Sequence, residues 1–138
     1  MRLRLIRHAT LAIEYNGHNL LVDPMLDGAE ARGAVQNTPN QRKNPLVGLP
    51  IPAAQVVDDV EAVLVTHTHS DHWDGTAVEL IRKNLPLFGQ AEDEDKFRQQ
   101  GFSNVQSVAK PLAWKDIEIS RTGGQHGKGA IGKAMAPV

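Results

Sequence analysis

The chain opens on alternation. Leu3 and Leu5 alternate with Arg2 and Arg4, and Leu11, Ile13 and Tyr15 alternate with Ala12 and Glu14. Side chains two apart share one face of a strand, so this period predicts half-buried β-strands. Asn16-Gly17 predicts a tight hairpin, because both residues accept the positive φ of a type I′ turn. The return strand runs from His18 to Asp23 and closes at Asp23-Pro24, and His18 beside the turn is expected to be solvated. Over residues 25–52 periodicity lapses, and Pro39, Pro45, Pro50 and Pro52 punctuate the chain. A stretch this long without regular elements reads as a functional flap or as a loose surface loop.

Order returns at Val60–Thr66, where Ala62-Val63-Leu64-Val65 forms the continuous apolar run of a strand covered on both faces. A helix follows, capped by Asp74, with Ala77, Leu80, Ile81 and Leu85 at helical spacing and Asn84 and Pro86 ending it. Leu87-Phe88 predicts a brief strand and Ala91–Gln100 a second helix. Glu92–Asp95 then fall in its first turn, Arg98 near its end and Gly101 just beyond, as the helix dipole and C-cap favour. Those acids are therefore read as a helix start in preference to a ligand site. Strands near Val105–Val108 and Asp116–Ser120 follow, and Thr122–Val138, rich in Gly and Lys, reads as loop. A β-hairpin followed by strand–helix–strand–helix–strand is an α/β layer arrangement, here expected as a single domain over residues 1–138.

Composition narrows the function. With 41% hydrophobic and 22% charged residues over 138 positions, disorder and coiled coil are excluded. Fifteen Lys and Arg against sixteen Asp and Glu leave a net charge of −1, without the basic excess of a phosphate-gripping protein, which argues against nucleic acid as a partner. No apolar run approaches the roughly 18 residues of a membrane span. Charge interrupts Met1–Leu5 too often for a signal peptide, and a cytoplasmic location is expected. The absence of cysteine removes thiolate zinc sites and cysteine nucleophiles. Any metal site must use His, Asp or Glu, and there are six histidines.

Four of the residues that could serve as ligands fall together. The buried strand runs into Thr66-His67-Thr68-His69-Ser70-Asp71-His72-Trp73-Asp74-Gly75. In a chain of this composition, His-x-His-x-Asp-His arises by chance with a probability of order one in a thousand. Ligands of open α/β sheets sit outside the carboxyl ends of strands, which is where this segment lies. If extended geometry continues, His67 and His69 point the same way, and Asp71 and His72 can face the same point from the following turn. Imidazoles with a carboxylate suit Zn²⁺, with Mn²⁺ or Fe²⁺ as further possibilities. Read merely as caps and turns, the segment accounts for one acid but not for three histidines.

This His67-x-His69-x-Asp71-His72 segment after an apolar strand resembles the signature of metallo-β-lactamase-fold metal-dependent hydrolases. Leu5-Ile6-Arg7-His8-Ala9-Thr10, the hairpin, and Leu21-Val22-Asp23-Pro24 resemble the opening of the lactonase-like branch, and Thr122–Gly127 resembles the segment that brings the next histidine. The resemblance implies one half of an αββα sandwich. It also implies one metal site from His67, His69 and His126, with Asp71 and His72 belonging to a second. Three histidines plus water is a ligand set suited to hydrolytic zinc. The family's second half brings a bridging aspartate and a final histidine, whereas only residues 127–138 follow His126. The chain is therefore expected to be C-terminally incomplete.

The other polar positions stay open. His8 is read as lining the site, as a hydrogen-bond partner behind a ligand, or as a surface residue. Asp23 is read as orienting a ligating imidazole, tightening the turn before Pro24, or ligating directly. Trp73 can wall a pocket but packing is the simpler role, and Gly123-Gly124 either cradles an anion or lets the loop place His126. The expected function is hydrolysis by metal-activated water of an ester, lactone or phosphoester-type small molecule, with one or two Zn²⁺ and Asp71 as proton acceptor. The alternative is a non-catalytic metal-binding half-domain, a truncated fragment or a homodimer formed through an uncovered sheet face. RNA cleavage, known among proteins with this signature, finds no support in charge or aromatic content.

Overall fold

The structure is a computed structural model, and it describes residues 1–124 and 127–129. Six strands, β1 (Arg2–Arg7), β2 (Thr10–Tyr15), β3 (His18–Val22), β4 (Ala62–Val65), β5 (Leu87–Gly89) and β6 (Val105–Ser107), form one sheet in sequence order. The first three pair antiparallel and β3 to β6 pair parallel. The Asn16-Gly17 turn forms as expected, with φ of 49° and 78° and Tyr15 opposite His18.

Each parallel step is a crossover carrying a helix: α1 (Ala53–Val57), α2 (Gly75–Leu80) and α3 (Glu94–Gln99). Right-handed crossovers that step repeatedly in one direction put their helices on one face of the sheet. That face holds the larger core, in which Leu21, Val63, Val65 and Leu87 meet Val56, Ala77, Ile81 and Phe97. Asp74 caps α2 as predicted, accepting the Ala77 N–H at 2.9 Å. The helix ends at Leu80, well short of Leu85, because Ile81 turns extended (ψ 128°). Ile81 and Leu85 are nonetheless buried, so the spacing recorded burial through an irregular turn. The second helix begins as a 3₁₀ turn, Ala91–Asp93, before α3.

The sheet's other face is apolar across five of its six strands, with Gln106 of β6 beside Phe88. Pairs Leu5–Leu11, Leu11–Val22, Val22–Leu64 and Leu64–Phe88 run across five strands, with Leu3–Ile13 and Ile13–Leu20 beside them. A separate hairpin, β7 (Leu112–Trp114) and β8 (Ile117–Ile119), covers the Phe88 end through Ile117 and Ile119. Its first strand was not expected from sequence, since the Lys115-Asp116 turn, with Lys115 at φ 54°, lacks the usual Asn-Gly marker. The expectation of an uncovered face therefore holds only at the other end, where Leu3 and Leu5 are 53% and 64% exposed.

His18 is not the solvated residue expected. Its Nδ1 lies 3.0 Å from Glu61 and its Nε2 3.4 Å from Asp116, while Lys115 reaches Glu61 at 2.8 Å. This cluster fastens the β7–β8 turn to the start of β3. The Lys115 ammonium, helped by the Asn19 N–H, holds the Glu61 carboxyl down from its ordinary 4.5 to about 2. A depressed carboxyl contributes stability above its unfolded pKa and loses it as pH falls through the folded value. Its contribution is thus complete above pH 4.5 and disappears toward pH 2. As a surface pair it is worth only about 0.2–1 kcal/mol. Glu61→Gln should flatten that limb of the acid-unfolding curve measured by circular dichroism, and an unchanged slope would remove the cluster's role.

Candidate metal centre

β4 ends at Val65, the chain bends at Thr66, and the residues that separate the candidate ligands are each anchored. The Thr66 N–H and hydroxyl donate to the two Asp23 carboxylate oxygens at 2.7 and 2.9 Å. The Thr68 hydroxyl donates to Asp93 at 2.7 Å, and Lys96 donates to the Thr68 carbonyl at 3.1 Å. The Arg32 guanidinium donates to the Ser70 carbonyl. Between these fixed points stand His67, His69 and Asp71. The segment then turns, with the His72 and Trp73 N–H groups donating to the His69 carbonyl at 2.9 and 2.8 Å. That turn brings His72 back under His67. Their ring centroids lie 4.0 Å apart, and those of His67 and His69 4.6 Å.

Asp23 is 3% exposed and sits at φ 44°, a left-handed conformation that costs a non-glycine residue about 1–3 kcal/mol. Thr10 holds it there, its hydroxyl donating to the Asp23 carbonyl at 2.7 Å and accepting the Met25 N–H at 2.9 Å. Besides Thr66, Asp23 holds His72: Oδ2 lies 2.9 Å from Nδ1. A carboxylate on Nδ1 keeps the proton there and leaves Nε2 with a free lone pair on the side of Asp71, the arrangement that prepares a metal-binding imidazole. The geometry thus sets the Asp23 carboxylate where it orients the His72 imidazole.

His8 stands on the β1–β2 turn at φ 53°, exposed, with Nε2 3.7 Å from Asp71 Oδ2. Asp71 is half-exposed and also lies 3.9 Å from His72 Nε2. Ligand atoms of His8, Asp71 and His72 all fall within 4.8 Å of one another. The structure thus brings His67, His69, Asp71 and His72 together and adds His8 beside Asp71. His126 lies outside the described residues. Trp73 is buried against Phe97 and Phe102 and donates to Gln100, which is a packing role.

The long segment 25–52 is pinned to the protein at several points. The buried Arg7 guanidinium donates to the carbonyls of Val47, Met25 and Asp27 at 3.0, 2.7 and 2.8 Å. Asp27 accepts the Thr76 hydroxyl at 2.7 Å, and its N–H donates to Asp74 at 2.8 Å. Burial pushes the Asp74 carboxyl up, opposed by the N–H groups of Asp27 and Ala77. Arg32, which grips Ser70, belongs to the same segment. Sequence reasoning missed Arg32, Asp93 and Lys96 as supports, because their partners lie 25 to 38 residues away. The one readable sign was the alternation of Thr66, Thr68 and Ser70 with the candidate ligands His67, His69 and Asp71.

A cavity of about 510 Å³ opens beside His67 and His72, floored by Phe88, Val108 and Ile119 and bordered by Gly123-Gly124. Arg121 at its edge is held by Gln90 at 3.0 Å and Glu92 at 3.6 Å. The donor set fits a divalent cation. Imidazoles converge with one carboxylate, no thiolate is present, and an imidazole is already oriented by a buried acid.

The family model described as "Beta-lactamase superfamily domain" matches residues 18–130. The chain is 36% identical over 131 residues to the UPF0173 protein YddR of Bacillus subtilis, covering 94% of this chain and 52% of that protein. It is 30% identical over 131 residues to a UPF0173 metal-dependent hydrolase of Methanopyrus kandleri, covering 91% and 47%. Among solved structures, a possible metal-dependent hydrolase from Veillonella parvula superposes with a TM-score of 0.88 at 37% identity, over 91% of this chain and 49% of that one. An isothiocyanate hydrolase from Delia radicum gut bacteria gives 0.85 at 38%, over 93% and 50%. The chain spans about half the length of the curated relatives it matches. With a mixed sheet layered by helices on one face and a histidine-rich segment at the end of its central strand, the chain belongs to the β-lactamase superfamily and has the metallo-β-lactamase fold.

Proposed function

We propose that the protein is a metal-dependent hydrolase in which His67, His69, Asp71 and His72, with His126, hold one or two divalent cations, Zn²⁺ foremost, with Mn²⁺ or Fe²⁺ suited less well by the donor set. The observation that supports this reading is a cluster on one anchored loop: the rings of His69 and His72 lie 4.6 and 4.0 Å from that of His67, and His72 Nε2 lies 3.9 Å from Asp71. When bound, the cation supplies an acidified water and a Lewis acid at neutral pH. Asp23 holds the proton on His72 Nδ1. Asp71, half-exposed at the mouth, would hold a second cation where one is bound and would otherwise accept the proton of the attacking water. The apolar floor of Phe88, Val108 and Ile119 receives the organic part of a small substrate and keeps bulk water from it.

The substrate centre is an electrophilic carbon or phosphorus of an ester, lactone or phosphoester. An isothiocyanate, named for one structural relative, presents a similar uncharged electrophilic carbon and belongs in the same assay. Purified protein with Zn²⁺ or Mn²⁺ should hydrolyse at least one of an ester, lactone, thioester, phosphodiester and isothiocyanate panel, and a chelator should stop it. Metal-loaded protein inert toward the whole panel would sink catalysis.

The second reading, a non-catalytic metal-binding module that pairs through its sheet, is favoured by one observation, the exposure of Leu3 and Leu5 on the apolar face. Inert but metal-loaded protein of dimeric mass in solution is the result it requires.

A further inference from the structure

We infer that His8 is itself a metal ligand, its Nε2 joining Asp71 and His72 around a second divalent cation; this deepens the metal reading above and rests on it. The distances are longer than hydrogen bonds and within a few tenths of an ångström of those between donors that share an ion. His8 and His72 stand 3.7 and 3.9 Å from the same Asp71 oxygen, beyond the roughly 3.2 Å limit of a hydrogen bond. Donor atoms that share an ion at about 2.0–2.1 Å in tetrahedral geometry lie about 3.3 Å apart, so a small inward movement of each side chain closes the set. With Nδ1 of His72 engaged by Asp23, Nε2 is the atom left for the ion.

The backbone around His8 is already fixed. Arg7 before it is clamped to three carbonyls, and Thr10 after it is tied to Asp23 and Met25. The turn also holds His8 at φ 53°, where glycine or asparagine would sit with less strain. An imidazole in that position adds nothing to the turn itself. It does add a nitrogen donor to Asp71 and His72, giving two imidazoles and a carboxylate, a set that holds Zn²⁺, Mn²⁺ or Fe²⁺.

The test uses the full chain and Zn²⁺ alone, titrated in competition with a chromophoric chelator, alongside thermal melting of the metal-free protein. His8→Gly relieves the backbone, so its metal-free form should melt no lower than wild type. Its Asp71–His72 ion should be lost or bound at least tenfold more weakly. His8→Asn, which tolerates the same φ, should show the same metal loss and so separates ligation from folding. Unchanged uptake by His8→Gly, or a loss that His8→Asn does not share, overturns the inference and leaves the metal reading standing. No uptake by wild type overturns both.

Discussion

His67→Ala is expected to abolish metal uptake at the site it shares with His69, and hydrolysis with it. His67 is 4% exposed at the end of β4, its ring packed between those of His69 and His72. Zinc binding by a four-ligand protein site is worth roughly 10–16 kcal/mol, so one ligand in four represents about 3 kcal/mol, or more than a hundredfold in affinity. The cavity left in a buried site adds a stability cost of the same order as other large-to-small changes, about 2–5 kcal/mol. Metal content by mass spectrometry after dialysis, with circular dichroism to verify folding, checks this. Folded His67→Ala protein that retains wild-type metal content would remove His67 from the ligand set.

The second large effect comes from a residue that need not touch the metal at all. Asp23→Asn keeps size and burial but changes which atoms can accept. An amide NH₂ facing His72 Nδ1 can only donate, so the imidazole proton moves to Nε2 and the nitrogen meant for metal is blocked. The same logic makes an Asp→Asn change behind a catalytic histidine so damaging. Metal affinity should fall about 10–100-fold, the usual cost of losing such a support, while the fold remains. Asp23→Ala should do more, because it strips Thr66 and His72 of a buried acceptor, with about 1–3 kcal/mol lost for each group left unpaired. Zinc competition titration separates the two variants from wild type. If Asp23→Asn binds zinc as tightly as wild type, Asp23 does not set the His72 tautomer.

These two residues differ in how much of their role could be read beforehand. His67 belongs to a local pattern: a strand's apolar run, then ligand residues at a spacing that extended chain converts into proximity. Asp23 was visible as an acid at a strand end. Its hold on Thr66 and His72 depends on β3 lying parallel beside β4, a contact across 43 and 49 residues. His8 is further still from legibility, since its place beside Asp71 needs β1 paired on β2 and β2 on β3. The proline-punctuated segment 25–52 lacks period, so the sequence leaves a functional flap and a loose surface loop equally open. Arg7, Asp27 and Arg32 fix it through carbonyls and carboxylates that carry no sequence signal. Helix α2 was read as five residues too long for the opposite reason: Ile81 and Leu85 are apolar at helical spacing, and burial satisfied without a helix leaves the same pattern.

The sequence by itself determined the six strands of the main sheet, the Asn16-Gly17 hairpin, the Asp74 cap, the layered α/β class and the segment from His67 to His72. All of these depend on neighbours within a few residues, where periodicity, turn chemistry and ligand spacing act. Only the tertiary structure decided which groups stand behind those ligands, that His18 is clamped between Glu61 and Asp116, that a second hairpin covers the Phe88 end of the sheet, and that His8 meets Asp71. Each of those contacts joins distant segments through strand order and crossover hand, and no local pattern encodes the residue that will be met there.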